Sequence, residues 1–229
     1  MNNGVRLLRM NEQKSMALRD RRTQHILQAA FKVFVKKGFE WSTMQDVAHE
    51  AELGVATVFR YFPKKNKLII AVIKQILEQS LPIFEKILQE GGTGYEKFEK
   101  LLNHYIKLSE PELLDRMKLL EAFETYVAFS QEPLEDIAQY YRAYTNITNT
   151  IAQMIREGVT DKSVRDDISI EATMSAMANV FGIFGRKQSF FESVRMGTLD
   201  FIPKDQAMIV KNIFLEYLKP KHYTDHHLL

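Results

Sequence analysis

Between Ser42 and Lys67 the chain reads STMQDVAHEAELGVATVFRYFPKKNK. No other stretch limits the fold so tightly. Two short helices fit it, with a tight turn at Glu52-Leu53-Gly54. Ser42 or Thr43 caps the first helix, and Thr43 with Asp46 has capping-box spacing. Val47, Ala48 and Ala51 form its inner face, and the two alanines let another helix cross closely. The second helix runs from about Val55 to Phe62. Leu53 and Val58 join Val47 in the core, and Pro63 suits the first turn of a following helix or the connection before it. Gln45, Val55, Ala56, Thr57 and Arg60 are left pointing outward. A Val-Ala-Thr surface is odd for a solvated helix. It suits a helix pressed into a DNA major groove, where small side chains permit approach and methyl groups touch thymine. Phe59 and Tyr61 lie at the helix end, where a tyrosine hydroxyl can donate to a phosphate. Lys64, Lys65 and Lys67 crowd the start of the next helix, whose free N–H groups also favour an anion. This is the plan of a helix-turn-helix DNA reader.

Charge agrees with that plan. The net charge of +2 is unevenly spread: residues 1–67 hold 13 Lys and Arg against 6 Asp and Glu, and the remainder holds 18 against 23. A basic third attracts phosphate, and an acidic remainder keeps the rest of the molecule off it. A hydrophobic fraction of 45% and a charged fraction of 26% are those of a globular protein. There are no cysteines, which excludes a disulfide framework and thiol chemistry and fits a reducing, cytoplasmic setting. The first 22 residues carry charges throughout and do not read as a secretory signal, and no apolar run is long enough for a membrane helix.

The rest of the chain reads as helices. Residues 1–18 lack apolar periodicity and are expected to form a flexible arm, with Met10 and Met16 as alternative starts. A helix from Arg19 buries Ile26, Leu27, Ala30, Phe31 and Phe34 and ends at Gly38. Phe39 and Trp41 are expected in the core. A long helix from about Lys67 to Gln89 should kink or divide at Pro82, and Gly91-Gly92-Thr93-Gly94 breaks the chain. That glycine run has neither the preceding strand nor the Lys-Ser/Thr of a phosphate loop. Helices follow over 95–108, 112–130, 133–158 and 169–194, and from about 203 to 218. In the 133–158 helix, Leu134, Ile137, Tyr141, Tyr144, Thr148, Ile151 and Ile155 suggest a buried seam. No strand is apparent. The six histidines form no readable site, and no catalytic cluster, metal site or cofactor motif is nominated.

Two further groups of residues stand out. Small and apolar residues on the last two helices, Met177, Phe181, Gly182, Gly185, Val210 and Phe214, suit a four-helix interface between two copies, although packing within one chain accounts for the same pattern. Tyr105, Met117, Phe123, Tyr126, Tyr141 and Tyr144 could line an apolar pocket or simply form core. Glu121 and Glu124 project beside Met117 on an ideal helix. There they suit either a structural ion pair or a cationic ligand.

From Arg21 to Leu68 the chain resembles the TetR-type transcriptional regulators. The matching residues are Ile26-Leu27, Ala29-Ala30, Phe34, Gly38-Phe39, Ser42-Thr43, Asp46-Val47-Ala48, Ala51, Ala56-Thr57, Tyr61-Phe62, Lys65 and Leu68. The resemblance implies an all-α homodimer. Its N-terminal three-helix domain would bind operator DNA, and a larger C-terminal domain would dimerise and hold a small-molecule effector. It further implies that Thr43 contacts phosphate, Gln45 approaches a base or phosphate, Val55, Ala56 and Thr57 face the groove, and Tyr61 and Lys65 hold the backbone. Three positions depart from the pattern: Glu52 replaces a turn glycine, Gly54 a serine cap and Phe59 a tyrosine. The expected division is an arm over 1–18, the DNA-binding domain over 19–66 and the dimerisation and effector domain over 67–229. The expected activity is repression relieved by an apolar or cationic effector. A helical DNA-binding or interaction module without an effector, or a helical enzyme with a basic patch, are the alternatives.

Overall fold

Gly38, at φ 73 and ψ 171, separates the first long helix from the short turn that leads into the second. In this computed structural model, residues 3–107, 111–131, 133–177, 179–181 and 203–221 are described. They form α1 (Asn3–Trp41, broken at Gly38), α2 (Met44–Glu50), α3 (Val55–Tyr61), α4 (Lys65–Gln89), α5 (Gly94–Lys107), α6 (Pro111–Ala128) and α7 (Ile137–Thr160). Residues 170–177 and 179–181 are helical as α8, and α9 spans Pro203–Leu218. The described residues include no strand, as expected of an all-α chain. None of their helices is long and apolar enough to cross a membrane.

Several boundaries differ from expectation. α1 starts at Asn3 rather than Arg19, although residues 13–20 are exposed and no packing holds them helical. α4 runs through Pro82 undivided. α7 starts at Ile137 rather than Pro133, because Asp136 takes a left-handed φ of 68 and the amide of Ile137 turns back to the carbonyl of Leu134. The seam of α7 is also rotated. Ala143, Ile147, Ile151, Met154 and Ile155 are buried, whereas Tyr141 is 55% exposed and Tyr144 40%.

The chain forms two compact units. The first comprises Met1–Gln75 and Ala122–Tyr140, so the reader takes in the end of α6 and the following loop as well as α1 to α3 and the start of α4. Its core is Ile26, Ala30 and Phe34 of α1, Val47 and Ala48 of α2, Val58 of α3, and Leu68, Ile69 and Ile73 of α4. Phe39 packs edge-on against Phe34 at 5.2 Å and at a tilt against Tyr126 at 5.7 Å. The Tyr126 hydroxyl donates to Asn66 Oδ1 at 2.6 Å. The second unit comprises Ile76–Glu121 and Tyr141–Leu229. Its core draws on Phe98, Leu101 and Leu102 of α5, Met154 and Ile155 of α7, and Leu215 and Leu218 of α9. α5 and α7 touch backbone to backbone at Gly94 and Gly158. A Cβ on Gly94 would lie 2.0 Å from the Gly158 nitrogen. α5 and α9 are joined by Lys211, only 7% exposed, whose ammonium donates to Glu99 at 2.7 Å.

Candidate nucleic-acid interface

The entry to α2 is doubly capped. The amide of Asp46 donates to Thr43 Oγ1 at 3.1 Å, and the Asp46 carboxylate accepts from the Thr43 amide at 2.9 Å. The aspartate therefore completes the capping box that the spacing suggests. The Lys37 ammonium donates to the same carboxylate at 2.5 Å. This ion pair, with the two Thr43 bonds behind it, holds the Asp46 carboxyl down at about 2.

The turn into α3 is built from backbone bonds. Glu52 donates to His49 O at 3.0 Å and Leu53 to Ala48 O at 2.9 Å. Glu52 sits at φ 51, the left-handed conformation for which glycine is the usual choice. His25 Nε2 lies 2.8 Å from the Ala51 carbonyl, so α1 supports the turn from behind. Gly54 caps α3 with no side-chain bond, and Thr57 N reaches its carbonyl at 2.8 Å.

α3 then shows one side to the core and one to solvent. Val58 is fully buried, whereas Val55, Ala56, Phe59 and Arg60 are exposed and Thr57 and Tyr61 half-buried. The Arg60 guanidinium lies 5.8 Å from the Tyr61 ring centre. Thr43 and Gln45 are exposed on α2. The structure thus brings the expected contact residues onto two adjoining short helices that share one buried core.

The lysines behave differently from expectation. Lys65 Nζ donates to the carbonyls of Phe39 at 2.8 Å, Glu40 at 3.3 Å and Ser42 at 3.0 Å. All three ammonium protons are engaged, so the side chain clamps the turn before α2 as well as adding charge. Lys64 pairs with Glu135, and Lys67 pairs with Glu135 at 3.2 Å and Asp136 at 3.3 Å. Those acidic partners raise the Lys67 pKa, Glu135 foremost. The lysine cluster is therefore already partnered within its own unit. Nothing local in the sequence signals this, since Glu135 lies 71 residues beyond Lys64.

Trp41 also departs from expectation. Phe39 is buried as expected, but Trp41 is 84% exposed. Phe39 and Ser42 both turn inward, and this leaves Glu40 and Trp41 between them facing outward.

The other candidate groups are dispersed. Phe123, Glu124 and Tyr126 belong to the first unit, where Phe123 is buried against Tyr140 and Tyr126 holds Asn66. Tyr105, Met117, Glu121, Tyr141 and Tyr144 belong to the second. Tyr105 stands in a run of rings there, 6.0 Å from Phe84 and 5.6 Å from Phe181, which is 6.3 Å from Phe214. Burial raises the Tyr105 pKa and lowers that of neighbouring His104. Met177 and Phe181 are buried in their own unit, and Gly182 and Gly185 lie outside the described residues. On α9, Val210 and Phe214 are half-buried. The uncovered stripe is Met208, Ile209, Ile213 and Tyr217, a four-residue repeat visible in the sequence but read one position off. No group of three or more side chains suited to a metal ion occurs among the described residues.

Comparison with known proteins agrees with this geometry. Residues 26–72 match the model of the TetR family of bacterial regulatory proteins. The transcriptional repressor KstR of Mycolicibacterium smegmatis is 26% identical over 190 residues, covering 72% of this chain and 93% of KstR. A fatty acid metabolism regulator protein of Bacillus subtilis is 23% identical over 146 residues, covering 63% of this chain and 72% of that protein. The crystal structure of the regulator FadR from Bacillus subtilis, in complex with stearoyl-CoA, superposes with a TM-score of 0.66 at 16% identity. It covers 85% of this chain and 98% of that one, a likeness of fold. Residues 26–72 thus carry the helix-turn-helix of the TetR family of bacterial regulatory proteins, and the likeness of fold extends over 85% of the chain.

Proposed function

We propose that this chain is a homodimeric repressor that a small apolar effector releases from its operator. The observation that carries the DNA half of this reading is the outward face of α3. Val55, Ala56 and Thr57 are presented at the start of a helix whose other face is anchored by fully buried Val58. Small and methyl-bearing side chains at the N-terminal end of a recognition helix suit base edges in a major groove.

A second copy is supported by α9, where Ile209 and Ile213 are 59% and 62% exposed beside Met208 and Tyr217. Pairing along that stripe buries apolar surface that is otherwise wet. The two α3 helices of a dimer must lie roughly 34–36 Å apart to enter successive major grooves. A ligand that favours another spacing weakens operator binding, by about 5–150-fold for a typical coupling. α4 is the element on which such a ligand would act, since it begins beside the reader at Lys65 and supplies its later residues to the second unit.

For the effector, apolar chemistry is better supported than cationic. Glu124 is exposed and belongs to the first unit, and Glu121 is engaged within the chain. The rings of Phe84, Tyr105, Phe181 and Phe214 offer apolar surface within the second. The similar Bacillus regulators concern fatty acid metabolism and bind stearoyl-CoA respectively. A long acyl chain is therefore the first effector to test. Acyl-CoA thioesters of graded chain length, added to a preformed complex with a selected DNA duplex, should release the DNA when the chain is long. Free coenzyme A should not. Release by no chain length would remove the acyl effector from this account.

A further inference from the structure

Trp41 is the most exposed of the large apolar side chains described, yet the backbone that carries it is firmly held. Gly38 starts the turn with a left-handed φ of 73. Phe39 is buried against Phe34, and Ser42, 2% exposed, donates its hydroxyl to Phe39 O at 3.0 Å. Lys65 ties the carbonyls of Phe39, Glu40 and Ser42 to the first turn of α4. Thr43 then enters the capping box of α2. With fixed residues on both sides, the indole is held outward by a rigid support. An unburied indole forgoes the stabilisation that burying a large apolar side chain brings. A mobile tip would show the same exposure without this clamp.

The position of the turn indicates what covers the indole. The turn precedes α2, and through Lys65 it touches the start of α4, four residues beyond the end of α3. α3 is seven residues long, about 10 Å. A duplex seated on α3 therefore brings its flanking backbone within reach of position 41. Charge agrees. Lys36 precedes the turn, Lys37 beside it is paired with Asp46, and the Lys65 ammonium sits inside the turn. Burial raises the pKa of the Tyr126 hydroxyl, and Glu40, the nearest carboxylate in sequence to Trp41, adds to that rise.

Resting on the DNA reading above, we infer that Trp41 is an additional DNA-backbone contact, packing its ring on a deoxyribose and donating Nε1–H to a phosphate oxygen. Indole is an apolar plate with one donor and no acceptor, which fits a sugar beside a phosphate. A contact of this kind strengthens binding and fixes register without reading sequence.

The chain has a single tryptophan, so the intrinsic fluorescence of the full-length protein reports this residue alone. The probe is a duplex selected by the protein from random sequence, with an unrelated duplex as control, and binding is followed independently by the anisotropy of a dye on the DNA. On saturation with the selected duplex, Trp41 should become protected from acrylamide quenching. Trp41→Ala should bind both duplexes about tenfold more weakly with the ratio between them unchanged, and Trp41→Phe should recover part of the loss. Both variants should keep the wild-type melting temperature, since the indole is 84% exposed in the free chain. Binding by anisotropy with the indole as accessible as before, and with Trp41→Ala unimpaired, overturns this inference alone. Protection that rises with protein concentration without DNA also overturns it, since the partner is then a second copy. No binding to any duplex overturns it together with the DNA reading.

Discussion

Asp46 does two things at the head of α2: it closes the capping box with Thr43 and takes the Lys37 ammonium. Its carboxyl titrates at about 2 rather than the ordinary 3.8, so folding favours the ionised form. The stabilisation is complete above the unfolded value and is lost as pH falls through the folded one. The difference in denaturant stability between wild type and Asp46→Asn should therefore hold from about pH 6 to pH 4 and shrink toward pH 2; a difference independent of pH would contradict this. The capping box was legible because its partners lie three residues apart. Gly94 was legible only as a break. Its contact with Gly158 closes a loop of 64 residues, and no local pattern reports it. Gly94→Ala must push apart two backbones, so it should cost at least about 2–3 kcal/mol by thermal or chemical denaturation. A cost near zero would mean that α5 and α7 are not in close contact.

At the scale of elements, the helices of the reader followed from spacing alone, because each buries one stripe against the next. What spacing could not supply was the partner of each charged face. The loop between α6 and α7 supplies Glu135 and Asp136 to Lys64 and Lys67, so part of the expected phosphate-binding charge is neutralised within the unit. Glu135→Gln with Asp136→Asn frees both lysines, and asparagine tolerates the left-handed φ at 136. The double variant should bind an unrelated duplex more tightly, with a salt dependence steeper by about one to two released counterions. Unchanged salt dependence would show that these lysines do not face the DNA. The rotated seam of α7 and the shifted stripe of α9 share a cause: a helix with apolar residues on more than one side does not reveal which side its own chain covers. The proposed dimer would pair through Ile209 and Ile213 of the uncovered stripe. Ile213→Asp should convert the dimer to monomer in sedimentation velocity while the helical content stays unchanged. A monomeric wild type, or a dimeric variant, would shift the interface elsewhere.

For the molecule as a whole, the all-helical architecture and the reader were legible from about 50 residues around the helix-turn-helix. The effector surface was not, because aromatic residues at helical spacing serve core and pocket alike. Phe123 and Tyr126 proved to serve the reader's own unit, as buried core and as the partner of Asn66. The departures at Glu52, Gly54 and Phe59 leave the helices intact: Glu52 accepts a left-handed φ, and Gly54 caps through its carbonyl alone. The central claim is that this scaffold presents α3 to a specific DNA sequence. The most direct test is the affinity of the full-length chain for a selected duplex and for the same duplex scrambled, measured by anisotropy at one fixed salt concentration. The account predicts a preference of about 10³-fold or more for the selected sequence, reduced or redirected by Thr57→Ala and Gln45→Ala. Equal affinity for the two duplexes, with those variants indistinguishable from wild type, would contradict it.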